Sequence, residues 1–418
     1  MKKPFFLAVV ILVSLTSAFP EQHPWMGELI KNRTELTVTN GGFSGSGAMT
    51  LQNALSSAHF VLVGEDHATK EIPQFVGAIC NYLGPQSLHT MAVEAGPLVA
   101  KQLQQWAILP DSNFHVAEFG KEYPDSIAFF NLKEENELLQ NCAHAATKGS
   151  FQLWGLDQEF VGSPGYILQL ILDTHPGKNA QIATQALVQK NHDAYAKAVK
   201  SGNPNEIFMF SASDEELANL KSLLVKEGNS QSQSLMDQLL LSRDIYIKNA
   251  HRENYASNRE RAQLMKTTFA RDYAAATKAE EGQPPKVLLK FGDWHMYKGI
   301  NPLHSYEVGD YVQEIAEGQG VQSLHIIILG QQGSHLHFVS IGQPYKADES
   351  KLVEDNDYRF LKLVFDNLEK ENWTLFDLRP LRAQFNSFEP MDQNMERLIF
   401  GYDLMVIIPE VHAATQIQ

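Results

Sequence analysis

Carboxylate and imidazole side chains follow four short apolar runs of this sequence, at the point where each run ends. The runs are rich in Val, Leu, Ile and Phe, which is typical of strands buried on both faces of a sheet. The carboxyl ends of parallel strands meet at one edge, and ligands of open α/β sheets bind beyond that edge. If the runs are parallel strands, the side chains that follow them converge. These side chains are Glu65, Asp66 and His67, then Glu94, then Asp157, then Asp293 and His295.

Histidines beside carboxylates are suited to activating water for hydrolysis. A neutral imidazole accepts a proton from water, and a neighbouring carboxylate fixes its tautomer. A cation is then needed where negative charge develops on the attacked carbonyl oxygen. Arg252, Arg259 and Arg261 lie close together in the sequence and are candidates for that cation. These residue types predict a hydrolase with a histidine base and an arginine that stabilises the oxyanion.

The same side chains could instead hold a metal ion. Two histidines with one or two carboxylates form a workable catalytic site for zinc, manganese or iron. The candidate ligands are His67, His295, Glu94 and Asp293. No HExxH motif, Walker motif or dinucleotide fingerprint occurs in the sequence. The cofactor is therefore expected to be either none or a divalent metal.

Apolar runs alternate with helical patterns along most of the chain, which predicts βαβ units. Residues 324–330 and 335–341 flank Gln-Gln-Gly and indicate a hairpin, which would give the sheet an antiparallel edge. Residues from about 166 to 280 contain no strand pattern and predict a large helical insertion. The expected fold is α/β, with a central, mostly parallel sheet flanked by helices. The strand candidates are residues 59–64, 89–94, 151–156, 286–292, 324–330, 335–341 and 404–409.

Composition and the first residues narrow the class of protein and its location. The chain has 418 residues, of which 44% are apolar and 20% charged, and its net charge is 34 − 49 = −15. This acidity argues against a nucleic-acid partner. Residues 1–18 have a basic start, a short apolar run and small residues at the end, which predicts a signal peptide. A single domain over residues 19–418 is expected to be secreted or periplasmic, without membrane insertion. Cys80 and Cys142 are expected either to form a disulfide or to be two buried thiols.

Six separated blocks of the chain resemble the erythromycin-esterase-like hydrolases. Their wider EreA/ChaN superfamily also holds the ChaN-like haem-iron proteins and the TraB/Tiki proteins. The resemblance extends over nearly the whole mature chain. The blocks are residues 61–67 (VLVGEDH), 92–95 (AVEA), 154–157 (WGLD), 261–265 (RAQLM), 292–295 (GDWH) and 400–404 (FGYDL).

The resemblance implies roles for five residues. His67 would be the base that activates water, and Glu65 and Glu94 would support it. Arg261 matches the family's arginine that precedes a methionine by four positions, and His295 matches the histidine of the late motif. The resemblance therefore favours Arg261 over its neighbours as the oxyanion stabiliser.

Three positions depart from the esterase pattern. The first motif is one residue shorter between Glu65 and His67, Ala262 replaces an aspartate, and Gly292 replaces the first histidine of the late motif. Gly64 precedes His67 by three positions, and Gly292 precedes His295 by three positions. These two Gly-x-x-His motifs resemble the pattern of the Tiki proteins, for which a metal-dependent peptidase activity is suggested.

The sequence thus predicts an exported hydrolase that cleaves an ester, lactone or amide bond in a small-molecule or peptide substrate. A macrolide substrate is not expected. The alternatives are a Tiki-like metal-dependent peptidase and a haem-binding or metal-binding protein of the ChaN type.

Overall fold

The computed structural model of the protein describes residues 24–39, 41–146, 150–355, 357–368, 371–383, 385 and 391–418. The predicted signal peptide, residues 1–18, lies outside the described residues. Within the part of the chain that is described, no helix is long and apolar enough to cross a membrane.

Ten strands form one mixed sheet. In chain order they are β1 (Arg33–Thr39), β2 (Gly42–Ser44), β3 (Phe60–Glu65), β4 (Leu88–Val93), β5 (Gln152–Gly155), β6 (Lys286–Gly292), β7 (Ser323–His337), β8 (Lys346–Lys351), β9 (Trp373–Asp377) and β10 (Leu404–Val411).

Six neighbouring strands of the sheet are parallel, in the order β10, β7, β3, β6, β4 and β5. Strands β9, β1 and β2 extend the sheet beyond β10 in antiparallel pairings. All residues of β3 are buried, as are most residues of β4 and β6, which explains their nearly unbroken apolar sequences. The predicted α/β class with a mostly parallel sheet is confirmed.

The predicted hairpin within residues 324–341 is wrong, because β7 runs without a turn from Ser323 to His337. It pairs with β10 along one side, and with β3 and then β8 along the other. Gly333 has a φ of 127°, and a Cβ atom there would lie 2.0 Å from the carbonyl oxygen of Val411. The glycine therefore permits close approach of β10 rather than a turn. The antiparallel edge consists of β9, β1 and β2 instead.

Helices cover both faces of the sheet and bury an apolar core on each. The first face packs against α2 (Ala48–Ser57), α3 (Glu71–Leu83), α4 (Pro97–Ala107), α5 (Ser112–Glu122) and α6 (Lys133–Ala145). The second face packs against α1 (Pro24–Lys31), α13 (Val308–Gln319), α14 (Lys362–Phe365), α15 (Arg379–Arg382) and α16 (Gln393–Gly401).

The chain between β5 and β6 is helical, as the sequence predicts. The helices of this segment are α7 (Pro164–Asp173), α8 (Lys178–Ser201), α9 (Phe208–Ser211), α10 (Asp214–Glu227), α11 (Ser230–Ala250) and α12 (Asn254–Ala279). Helices α7 to α11 share an apolar core of their own, whereas α12 packs against the second face of the sheet. Ser213 and Glu216 form a capping box at the start of α10.

A disulfide joins Cys80 of α3 to Cys142 of α6. Of the two states expected for these cysteines, a disulfide or two buried thiols, the structure has the disulfide. The bridge ties together two helices that pack on the same face of the sheet.

Candidate active site

Four adjacent parallel strands bring the predicted side chains to one edge of the sheet. Glu65 is the last residue of β3, and Asp293 directly follows β6. Glu94 directly follows β4, and Asp157 lies two residues beyond β5. Because β3, β6, β4 and β5 are consecutive neighbours, these side chains lie at the same carboxyl edge.

His67 lies between two carboxylates. Its Nδ1 atom is 2.8 Å from Oε1 of Glu65, and its Nε2 atom is 3.4 Å from Oε2 of Glu94. The ring stacks on Phe129, with 4.1 Å between the ring centroids, and 27% of the His67 side chain is exposed. The imidazole is therefore held at both nitrogens and on one face, yet solvent still reaches it.

The two carboxylates also determine the charge of His67. Burial alone would lower the pKa of His67, but the neighbouring Glu65 and Glu94 raise that pKa to about 10. The ring is consequently an imidazolium at neutral pH. When it loses a proton, the shorter of its two carboxylate contacts, that to Glu65, keeps the remaining proton on Nδ1. Nε2, which faces Glu94 at 3.4 Å, is then the atom that can accept a proton from water.

Glu94 is the centre of the cluster. Its Oε2 accepts a hydrogen bond from the backbone N–H of Gly292 at 2.7 Å, and its Oε1 accepts one from Nη2 of Arg261 at 2.6 Å. Burial would raise the pKa of Glu94, but His295, Arg261 and His67 hold it well below its usual range. Glu94 is therefore a fixed negative charge that three cationic groups share.

Helix α12 directs Arg261 into the cluster. Arg261, Met265 and Phe269 are spaced four apart, and the last two are buried against the sheet, so the arginine lies on the same helix face. Its guanidinium binds Asp157 through two hydrogen bonds, from Nε at 2.9 Å and from Nη2 at 2.5 Å. Its neighbour Arg259 is exposed. Such bidentate binding fixes the plane of the guanidinium and leaves its Nη1 atom to contact other groups.

His295 is buried behind Arg261. Its Nδ1 atom lies 3.1 Å from Oε2 of Glu307, and its Nε2 atom lies 3.3 Å from Nη1 of Arg261 and 3.5 Å from Oε1 of Glu94. Burial lowers the pKa of His295, but the carboxylates raise it to about 9 against the opposing charge of Arg261. A charged ring donates to Glu94 and a neutral ring accepts from Arg261, so His295 has a partner in both states.

A buried ion cluster below His67 was not predicted from the sequence. Nζ of Lys290 donates to Oε1 of Glu65 at 2.5 Å and to Oε1 of Glu135 at 2.7 Å. One signal could have found Lys290, since it interrupts the otherwise apolar strand β6. No comparable signal marks Glu135 or Glu307, which lie among other polar residues of the sequence.

Two further acidic residues lie beside His67. Oδ2 of Asp293 accepts a hydrogen bond from the Tyr358 hydroxyl at 2.8 Å, and burial raises the pKa of Asp293 to about 7. Oδ2 of Asp66 lies 3.3 Å from Nδ1 of His335. Both carboxylates are therefore engaged with partners outside the Glu94 cluster.

The glycine at position 292 is required by the packing of the site. A Cβ atom there would lie 2.8 Å from Nε2 of His67 and 3.4 Å from Oε2 of Glu94. No side chain, and no histidine, fits at Gly292 while His67 keeps this position. The departure from the esterase motif thus has a steric reason in this structure.

Left-handed backbone conformations hold the loops beside His67. Ala68 has a φ of 68° and Phe129 a φ of 58°, values that non-glycine residues rarely adopt. The carbonyl oxygen of Ala68 accepts hydrogen bonds from the N–H of Ala414 at 2.9 Å and of Leu336 at 3.3 Å. The segment after β10 and the end of β7 therefore secure the loop that carries His67.

The predicted metal ligands do not fit a metal ion in this arrangement. Among the described residues, no group of three or more His, Cys, Asp or Glu side chains is placed to hold one. Oε1 of Glu94 and Nε2 of His295 both face the guanidinium of Arg261, at 2.6 and 3.3 Å. The arginine is a fixed cation where the ion would have to lie, and like charges repel at this distance.

The geometry is suited to acid and base chemistry next to a fixed cation. A partly exposed imidazole oriented by a carboxylate lies at the same sheet edge as a guanidinium. A carbonyl group placed between them would meet a proton acceptor for water and a positive charge for its oxygen.

Solved structures of low sequence identity share the fold. A histidine-to-asparagine mutant of the erythromycin esterase EreC, in its open conformation, matches with a TM-score of 0.59 and 15% identity over 92% of this chain and 99% of that chain. A protein from Bacillus cereus matches with a TM-score of 0.57 and 18% identity, over 94% and 98% of the two chains. A structure titled as a succinoglycan biosynthesis protein matches with a TM-score of 0.56 and 15% identity, over 94% and 97%.

No protein-family model and no curated protein sequence matches the chain. The structural matches nevertheless cover almost the entire length of both partners. The chain therefore has an erythromycin-esterase-like fold.

Proposed function

We propose that the protein is an exported hydrolase in which His67 activates water to cleave an ester, lactone or amide bond. The observation that carries the proposal is the bond of 2.8 Å between Nδ1 of His67 and Oε1 of Glu65. It directs Nε2 of the neutral ring toward the carboxyl edge of the sheet, where Arg261 also lies. A structural histidine would not need a carboxylate at each nitrogen and a partly exposed ring.

The reaction would proceed in two proton transfers. Nε2 of neutral His67 accepts a proton from water while the water oxygen bonds to the carbonyl carbon of the substrate. The tetrahedral intermediate then collapses, the bond from carbon to the leaving oxygen or nitrogen breaks, and the imidazolium returns its proton to the leaving group. Glu65 stabilises the imidazolium between these steps, as a carboxylate partner does in other hydrolases.

Arg261 is proposed to stabilise the oxyanion. Asp157 and Glu94 occupy its Nε and Nη2 atoms, and Nη1 faces Nε2 of His295 at 3.3 Å. Because Nη1 carries two N–H groups, its second N–H is the one proposed to bind a substrate oxygen. Glu94 and His295 are proposed to shape the site around it. Because the guanidinium is already oriented, it needs no reorganisation when charge develops.

Export is part of the proposal. The first 18 residues have the pattern of a signal peptide, and a disulfide such as that between Cys80 and Cys142 persists in oxidising compartments. A small-molecule or peptide substrate is proposed. The likeness in fold to an erythromycin esterase supports a hydrolase, but no macrolide substrate is proposed, since Gly292 stands where the esterases carry a histidine.

A substrate panel and two variants test the proposal. Purified wild-type protein is assayed on short-chain aryl esters, lactones and aryl amides, next to His67→Asn and the matched control His337→Asn on an exposed strand position. The His67 variant should lose turnover by roughly 100- to 10,000-fold while its circular dichroism stays unchanged. The His337 variant should match wild type. Equal turnover in the two variants would refute His67 as the base.

A further inference from the structure

A lysine is buried in the middle of the sheet, directly below the proposed base. Lys290 lies on β6, opposite Val63 of β3 on one side and Val93 of β4 on the other. Only 3% of the residue is exposed. Burial of an ammonium group carries a desolvation cost of several kcal/mol unless well-placed partners compensate for it.

Its two partners are carboxylates that are equally buried. Lys290 Nζ contacts Oε1 of Glu65 and Oε1 of Glu135, and both glutamates are no more than 3% exposed. The same Oε1 atom of Glu65 also bonds Nδ1 of His67. A continuous chain of charged contacts therefore leads from helix α6, along the sheet face that this helix covers, to the partly exposed ring.

Stability alone gives a weak reason for this cluster. Buried ion clusters of this kind can often be replaced by apolar side chains of similar size without loss of stability. The remaining oxygen atoms, Oε2 of Glu65 and Oε2 of Glu135, have no hydrogen-bond partner among the described residues. All polar contacts of both carboxylates thus converge on the Oε1 atoms that Lys290 binds.

We propose that Lys290 and Glu135 are positioning residues, which hold the Glu65 carboxylate in the orientation that receives the Nδ1 proton of His67. This inference rests on the proposed role of His67. Without Lys290, the Glu65 carboxylate can turn about its terminal torsion, and Nδ1 of His67 is no longer held by an oriented partner. Glu135 is the second carboxylate that binds the ammonium, and this contact helps to keep Lys290 on Glu65.

Other charged groups also surround the ring, so the test must isolate this chain of contacts. The groups that face His67 are Glu65 and Asp66 at the end of β3, Glu94 after β4, Asp293 after β6, Lys290 on β6 and Glu135 on α6. Of these, Glu65 and Glu94 contact the ring directly, and Lys290 and Glu135 are connected to it through Glu65. Replacing this pair therefore leaves the direct partners of His67 in place.

The decisive variant replaces both partners with apolar side chains, as Lys290→Met combined with Glu135→Leu. This double change leaves no unpaired ammonium and keeps the bond between Glu65 and His67 possible. We expect kcat to fall by roughly 10- to 100-fold while KM stays within about twofold, because binding groups are untouched and the base is misoriented. Glu137→Gln, on the same helix at a half-exposed ion pair with Lys133, should leave both constants unchanged.

Nitrogen NMR of the histidine rings provides a readout that does not depend on turnover. The His67 signals are identified by their absence in His67→Asn. In wild type at neutral pH the ring is an imidazolium, and its Nδ1 proton should have a shift typical of a bond to a carboxylate. In the double variant this signal should broaden or move toward that of a free imidazole.

The two readouts separate the possible failures. If wild type hydrolyses nothing but the ring signal changes in the double variant, the positioning role stands and the proposed function falls. If His67→Asn abolishes turnover while the double variant keeps wild-type kcat and an unchanged ring signal, the inference is overturned.

A single variant tests the inference if the double variant fails to fold. Glu135→Gln removes one negative charge and retains an oxygen acceptor. It should lower kcat by roughly threefold or more, and an unchanged kcat and ring signal would overturn the inference.

Discussion

Arg261 and Glu94 are joined by a hydrogen bond of 2.6 Å that connects helix α12 to the end of strand β4. The two residues lie 167 positions apart in the sequence, so the contact exists only when the helical segment packs on the sheet. The site is therefore complete only when that segment is packed on the sheet.

Replacing Arg261 tests this dependence. Arg261→Met removes the guanidinium, which takes from Asp157 its bidentate partner and from Glu94 one of its three cationic neighbours. Turnover should fall by roughly 100- to 1,000-fold, the effect of losing one oxyanion donor. The free energy of unfolding should fall by about 2 kcal/mol, less than for a fully buried pair because 24% of the side chain is exposed. Urea unfolding and kcat/KM measure the two effects. Arg259→Met, on the exposed side of the same helix, is the control, and an equal loss there would contradict the assignment.

The pH dependence of turnover follows from the charge of His67. The two carboxylates raise the pKa of His67 to about 10, so the proton-accepting neutral ring is rare at neutral pH and increases as pH rises. At pH 7 roughly one ring in a thousand is neutral. The logarithm of kcat/KM should therefore rise by about one unit per pH unit between about pH 7 and pH 9. In Glu65→Gln, where one of the charges that raise the pKa of His67 is gone, the rise should level off at lower pH. A wild-type profile that is already flat from about pH 6.5 would argue against His67 as the base.

Adding a single methyl group at position 292 should disable the site. In Gly292→Ala the new Cβ atom would lie 2.8 Å from Nε2 of His67, so the ring must move. Displacement of a catalytic group by about 1 Å costs roughly 100-fold in rate. Gly318→Ala serves as the control, because no atom lies within 4 Å of its added methyl group. Steady-state kinetics and a crystal structure of each variant would show whether rate and ring position change together.

Removal of metal ions should leave the proposed hydrolysis unchanged. Because the guanidinium of Arg261 lies where a cation would contact Glu94 and His295, we expect sub-stoichiometric metal in elemental analysis. Dialysis against a chelator should not alter kcat/KM. The contrary outcome is stoichiometric metal in the wild-type protein. If that metal disappeared in both His67→Ala and His295→Ala, the two histidines would bind one ion.

The disulfide should contribute measurably to stability. Cys80 and Cys142 close a loop of 62 residues, which restricts the unfolded chain. The loop-entropy relation gives about 4 kcal/mol for a bridge of this length. Unfolding in denaturant, with and without reductant, measures the difference, and a Cys80→Ala/Cys142→Ala variant should match the reduced protein. If reduction left the unfolding midpoint unchanged, the bridge would not form in the native protein.

The sequence was most informative where one physical rule covers a whole element. Central parallel strands are buried on both faces, so β3, β4 and β6 could be predicted from unbroken apolar runs, and the polar residues after them mark one sheet edge. This rule brought Glu65, Glu94 and His295 into one predicted cluster. Helix α12 could be predicted as a helix, but only the family resemblance distinguished Arg261 from Arg259.

Features that depend on a distant partner could not be predicted. The Gln-Gln-Gly segment in β7 has the residues of a turn, and only pairing with Val411 of β10 explains why the strand continues through Gly333. Similarly, the ion cluster of Lys290 and Glu135 joins a strand to a helix 155 positions away. Helix α6 shows only ordinary helical periodicity, so nothing in the sequence indicates which of its glutamates faces the sheet.

The left-handed conformations of Ala68 and Phe129 hold the two loops beside His67 in a backbone geometry that these residue types rarely adopt. Each such residue costs of order 1–3 kcal/mol, which the remainder of the fold must offset. Substitutions that relieve this cost at either position would then raise thermal stability and lower turnover. Laboratory selection for thermal stability alone should relax them first, and the selected proteins would keep their fold while losing the rigid support beneath His67.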